Sequence, residues 1–126
     1  MVSEMRLKRI ADRIVEELTI ILLRETADPR LDGVTITHIR LDPEVSFADI
    51  YVSALEGEDR SEEILAGLKH ARGYLRSELA HRISHLRSFP KLRFHWDETL
   101  KKANRIDALI AQLDAEEIAK KSNEHE

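Results

Sequence analysis

Apolar residues return at intervals of three and four along the first part of the chain. Leu7, Ile10, Ile14, Leu18, Ile21 and Leu22 make one stripe, the spacing of an amphipathic helix. Ser3 is placed to cap its start, and Asp28-Pro29 marks a stop, because the residue before proline is disfavoured in helix. The spacing therefore predicts a helix over Glu4 to Glu25. After the turn Asp28-Pro29-Arg30-Leu31-Asp32-Gly33 the period changes to two. Val34 to Leu41 is rich in β-branched residues and reads as a strand. Its parity slips, with Val34 and Ile36 on one phase and Ile39 and Leu41 on the other, which predicts a bulge or a late strand start. Ala48, Ile50, Val52 and Ala54 then alternate with Asp49, Tyr51 and Ser53. The two strands, joined through Asp42-Pro43-Glu44, should form an antiparallel hairpin.

Helical spacing resumes at Ser61, where Glu62 and Glu63 give an acidic first turn. Ile64, Leu68, Ala71, Leu75, Leu79, Ile83 and Leu86 stay in phase through Gly73. A glycine inside a helix costs ~1 kcal/mol relative to alanine. Its presence predicts a bend at Ala71-Arg72-Gly73 between two helices packed as one unit, ending at Phe89-Pro90. Leu92, Phe94 and Trp96 alternate with Arg93, His95 and Asp97 as a third strand. A long helical crossover returns this strand parallel to an earlier one. The expected fold is α+β, a three-stranded mixed sheet with helices on one face. A C-terminal helix follows over Asn104 to Ala119, with Ile106, Leu109, Ile110 and Leu113 on one side. Residues 1–113 read as the domain and 114–126 as the end of that helix plus a polar tail, from Lys120, expected to be disordered.

Charge sharpens this picture. Between positions 69 and 93 stand Lys69, Arg72, Arg76, Arg82, Arg87, Lys91 and Arg93 against the single acid Glu78, a net of +6 in a chain whose formal charge is −4. The rest of the sequence therefore carries about −10. A basic block in an acidic protein is a localised footprint for a polyanion. With 126 residues, 42% of them hydrophobic and 35% charged, the chain is sized for one folded domain. It has no cysteine, which removes disulfides, thiol nucleophiles and cysteine-ligated metals. No apolar run approaches the ~20 residues of a membrane span, and no signal peptide opens the chain, so the expected location is the cytoplasm.

Catalytic constellations are missing. His81 and His85 have the i, i+4 spacing of zinc ligands, but the glutamate of that pattern and an obvious third ligand are absent. The polar side of a basic helix accounts for them better. Carboxylates lie in acidic runs such as Glu56 to Glu63, which read as solvated surface. Phe94 and Trp96 read as core. No metal or cofactor is expected. At the bend, Gly73 would leave room for a phosphodiester backbone. The restarting helix would offer free N–H groups there, and Lys69, Arg72 and Arg76 would clamp phosphates from one face. The competing reading is a helix whose arginines only keep it soluble.

These elements resemble a known family. Helix, two strands, two helices and a strand is the order of the type II KH domain, and Ala71-Arg72-Gly73 stands where KH proteins usually carry a Gly-x-x-Gly loop. An Ala-x-Gly kink at this place is characteristic of bacterial ribosome-binding factor A. Arg9-Ile10-Ala11 with Glu17-Leu18, Asp28-Pro29-Arg30-Leu31, Val34-Thr35-Ile36-Thr37, Ala48 to Ser53, Ala71 to Arg76, Pro90 to Phe94 and Arg105-Ile106-Asp107 are similar to that family in the same order. The resemblance implies a non-catalytic, monomeric assembly factor that binds the free small (30S) ribosomal subunit and its 16S rRNA. It also implies support for late maturation, 5′-end processing and growth in the cold. Small-subunit proteins and other assembly factors are further implied partners. Ala71, Gly73, Arg72 and Arg76 carry over residue by residue; Lys69, Arg82, Arg87 and Lys91 join them on charge. The alternative is a KH-like protein-interaction module with no specific RNA role.

Overall fold

The computed structural model describes residues 3–124. Six main elements follow in chain order: α1 (Glu4–Arg24), β1 (Val34–Leu41), β2 (Phe47–Ala54), α2 (Ser61–Arg82), β3 (Lys91–Trp96) and α3 (Thr99–Glu124). Short 3-10 turns, Pro29–Leu31 and Gly57–Arg60, lead into β1 and α2. The sheet order is β1-β2-β3, with β1 antiparallel and β3 parallel to β2. This is a type II KH-like arrangement, a mixed sheet with α1 and α2 on one face, and its two central helices run together.

The caps and turns follow from local chemistry. Ser3 Oγ accepts the Arg6 N–H at 3.2 Å, as its place before the stripe requires. Asp28 caps the next turn through the Arg30 N–H and forks onto the Arg30 guanidinium. Asp42 Oδ1 accepts the N–H groups of Ser46 and Phe47, both at 2.7 Å, and so fastens the β1–β2 turn. The parity slip in β1 is a real bulge. Pairing shifts between Ile36 and His38, and the extra residue, Thr37, turns its hydroxyl toward Tyr51 O and the Asp97 carboxylate.

The core lies between the helices and the inner face of the sheet. Ile14, Leu18 and Ile21 of α1 and Ile64, Leu68, Leu75 and Leu79 of α2 are fully buried, as are Ala48, Ile50 and Val52 of β2. Each large aliphatic side chain taken out of water contributes about 1.5–3 kcal/mol. Phe94 and Trp96 pack half-buried against this cluster. The approach of α2 to the Pro29–Leu31 turn is close at Gly67. A Cβ there would meet Leu31 Cδ2 at 3.0 Å and Arg30 Cβ at 3.3 Å.

The structure corrects the expected division into two helices. α2 is one uninterrupted helix from Ser61 to Arg82, Gly73 included, so no second helix restarts there and no free N–H groups are offered. Leu68, Leu75 and Leu79 must all reach the same core, and their combined burial outweighs the ~1 kcal/mol that one glycine costs. The helix also ends earlier than the periodicity suggests. Ile83 leaves helical geometry while its N–H still reaches Leu79 O. The chain then returns as an irregular segment, 83–90, that buries Ile83 and Phe89. Ser61, expected as the cap, is the first helical residue, and Arg60 holds the cap position. α3 starts before Asn104 and continues past Ala119 to Glu124, in place of the expected disordered tail. Alanine, glutamate and lysine favour helix there, and no proline or glycine interrupts them. The final two residues of that tail lie outside the described part.

Two outcomes follow. Gly73 is helical and exposed, and a Cβ added to it would meet nothing within 4 Å. Gly73→Ala is therefore expected to stabilise the fold by about 0.5–1 kcal/mol, read as a higher thermal midpoint. Asp42 is held below the usual carboxylate range, chiefly by the Phe47 N–H and further by that of Ser46. A carboxyl lowered in the folded state stabilises above its unfolded pKa of ~3.9, and the gain is lost as pH falls through the folded value. Asp42→Ala should thus be less stable than the parent at neutral pH, and denaturant titrations should show the gap narrowing in acid.

Candidate nucleic-acid interface

The eight residues singled out on the basic helix do not act as one set. Helical geometry puts Lys69, Arg72 and Arg76 on a common flank of α2, at i, i+3 and i+7. Lys69 and Arg72 are exposed and have no ion pair or side-chain hydrogen bond among the described residues. Arg76 is different. Its guanidinium is turned onto the 83–90 segment, donating to Phe89 O at 2.6 Å and Pro90 O at 3.2 Å. Arg76 thus faces the entry to β3, while Lys69 and Arg72 open onto solvent.

Arg82 leaves the set for another reason. It sits on the side of α2 that meets α1, where Glu17, Glu25 and Glu78 surround it. Hydrogen bonding to Glu25 above all, and then to Glu17, raises its pKa above the ordinary arginine value. It is a clasp between the helices, with its charge answered locally. Ala71 is half-buried and packed against the core, while Gly73 opens onto solvent. Arg87, within the return, and Lys91, at the start of β3, are exposed and, like Lys69 and Arg72, have no side-chain partner among the described residues. The free cations of the stretch are therefore Lys69, Arg72, Arg87 and Lys91.

Arg93, part of the same charge run, belongs to the outer sheet face. It forks onto Asp49 with two contacts of 2.8 Å and lies 4.1 Å from the Phe47 ring centroid. Its hydrogen bond is the main reason the Asp49 carboxyl lies below the usual range, with His95 adding to it. His95, Tyr51 and His38 continue this face as a row of rings. His81 and His85 are not one helical turn apart, because α2 stops between them. Among the described residues no cluster of three or more His, Asp or Glu is arranged to hold a metal. Nor is any helix there long and apolar enough to cross a membrane.

Sequence reasoning left Arg6 undecided between a binding face and a solvated one. It projects from the first turns of α1 into a concavity shared with Arg76, Arg87 and Lys91. The signal was the i, i+3, i+7 series Arg6, Arg9 and Arg13, which reads equally well as a solvated mixed face. Arg13 does pair with Glu17, at 3.2 Å.

The model of the family described as "Ribosome-binding factor A" matches residues 6–110. The chain belongs to this family. A ribosome-binding factor A from Chromohalobacter salexigens is 41% identical over 114 residues, 89% of this chain and 86% of that protein. The crystal structure of ribosome-binding factor A from Thermus thermophilus superposes with a TM-score of 0.56 at 29% identity, covering 71% of this chain and 89% of that one. A homology model of Thermus thermophilus ribosome binding factor A, fitted into the cryo-EM map of a 30S complex, gives a TM-score of 0.53 at 27% identity, over 72% and 90% of the two chains. Membership of the family makes this a ribosome-associated factor.

The division of the basic residues has a measurable consequence. Arg82→Ala is expected to lower the thermal midpoint, since it leaves Glu17 and Glu25 without their common partner. It should leave the salt dependence of RNA binding unchanged. Lys69→Ala with Arg72→Ala should do the reverse, and paired melting and filter-binding measurements distinguish the two patterns.

Proposed function

We propose that this protein is a non-catalytic, cytoplasmic assembly factor of the small ribosomal subunit. It binds free 30S subunits through the phosphates of 16S rRNA, needs no cofactor, and acts as a monomer. The observation that carries this reading is the set Lys69, Arg72, Arg87 and Lys91, exposed and unanswered by acids among the described residues of a chain with net charge −4. Free cations along α2 and the return into β3, beside Arg82 and Arg93 that are paired to acids, dispose that surface toward a polyanion. The Thermus relative fitted into a 30S complex supports the same partner. In this reading residues 1–113 are the binding domain and 114–126 an extension of it. Arg76 and Ala71 shape the surface, and Gly73 lets backbone approach the helix. By holding local rRNA conformation, binding would support late maturation, 5′-end processing and growth in the cold.

A second reading has its own observation. Ile106, Leu109, Ile110 and Leu113 of α3 are 52–62% exposed along one side, a row suited to a protein partner. Capture of a small-subunit protein that survives nuclease and high salt would favour it.

Co-sedimentation tests the first. The parent should travel with free small subunits, and its log–log salt slope should fall by roughly 0.7 for each single-stranded phosphate contact removed. Replacing Lys69, Arg72, Arg87 and Lys91 by alanine should flatten that slope and release the protein from subunits at moderate salt. A quadruple variant that sediments like the parent would overturn the reading.

A further inference from the structure

The cations at the start of α1 and the return into β3 surround more than open surface. Between the first turns of α1, the β1–β2 turn and the 83–90 segment lies a cleft of about 440 Å³, within the ~300–1,000 Å³ span of sites that hold small planar ligands. Its floor is apolar, formed by Val45, Leu86 and Phe89 with Ile10 beneath, and its rim carries Arg6, Arg87 and Lys91. Glu44 is the one carboxylate among the lining residues. Arg76 lines a wall and donates two of its five N–H groups to Phe89 O and Pro90 O, whereas the three rim cations have no side-chain partner among the described residues.

The cleft is also built to keep its shape. Lys91 N–H donates to Ser46 O at 2.9 Å, tying the β1–β2 turn to the start of β3. Asp42 fastens the same turn through Ser46 and Phe47. Within it Val45 has φ +56°, the sole non-glycine positive φ among the described residues. A β-branched residue is strained there, and the surrounding bonds hold it against the strain with its side chain on the cleft floor.

We propose that this cleft is a pocket for one unstacked nucleotide of single-stranded RNA, its base lying on the apolar floor and its flanking phosphates held by Arg6, Arg87 and Lys91. A fully paired helix presents phosphates and ribose but no base face to such a concavity, whereas an extruded nucleotide supplies a planar apolar surface together with negative charge. Glu44 stands where it can accept from a base amino group. This inference rests on the RNA-binding reading and adds a site that reads strand state, not charge alone.

The test uses the full chain, an eight-nucleotide single-stranded RNA and a fully paired RNA duplex. Ser88 is exposed on the cleft wall, and Ser88→Trp fills the space without removing a charge. Its affinity for the single strand should drop roughly tenfold, the loss of one base contact, while duplex affinity and salt slope stay as in the parent. In the parent, the Val45 and Leu86 methyl resonances should shift on adding the single strand and not the duplex. Unchanged single-strand affinity in Ser88→Trp, or methyls that do not respond, overturns the pocket. A parent that binds subunits but not the oligonucleotide also overturns it and leaves the assembly-factor reading standing. A parent that binds neither removes both. Equal methyl shifts with an acidic peptide would reassign the cleft to a protein ligand and overturn it too.

Discussion

The unbroken burial of the α2 stripe governs most of what this molecule can present to a partner. Ile64, Leu68, Leu75 and Leu79 sit in one core with α1 and the inner face of β2. To keep all four there, the helix must hold a single phase across Gly73. That requirement keeps α2 in one piece, fixes which flank carries Lys69 and Arg72, and sets where the chain must turn back to start β3. The surface chemistry is thus a consequence of the interior.

The same constraint sorts the arginines. Positions on the α1 side of α2 come within reach of α1's own acids, so Arg82 is captured by Glu17 and Glu25. Positions on the other side face the returning segment, so Arg76 meets carbonyls that lack strand or helix partners and satisfies them. Of the cations between positions 69 and 93, Lys69 and Arg72 on α2, Arg87 within the segment and Lys91 just after it stay available. A count of charge along the sequence cannot make that distinction, because Arg76 and Arg82 look there like Arg72.

Much of the architecture was nevertheless legible. The α1 stripe, the parity slip that became the Thr37 bulge, the hairpin and the parallel return of β3 all follow from periodicity and connection rules, since each depends on local spacing. What stayed hidden depended on contacts distant in sequence. The end of α2 at Arg82 is set by the need to bury Ile83 and Phe89, not by a breaker residue. Arg6 lies some eighty residues from Arg87 in the chain, and only the fold brings them to one cleft. Gly73 carried the clearest local signal and misled, because a modest backbone cost was weighed without the packing that overrides it.

Gly67 has the opposite character. Nothing in the sequence marks it, yet the bare backbone there rests against Leu31 and Arg30, where a methyl group would crowd both. A helix seated this closely on a neighbouring turn resists rotation about its own axis and lengthwise slip. Contact at that one point therefore acts as an index pin, giving the distant cationic edge a fixed bearing before any polyanion arrives.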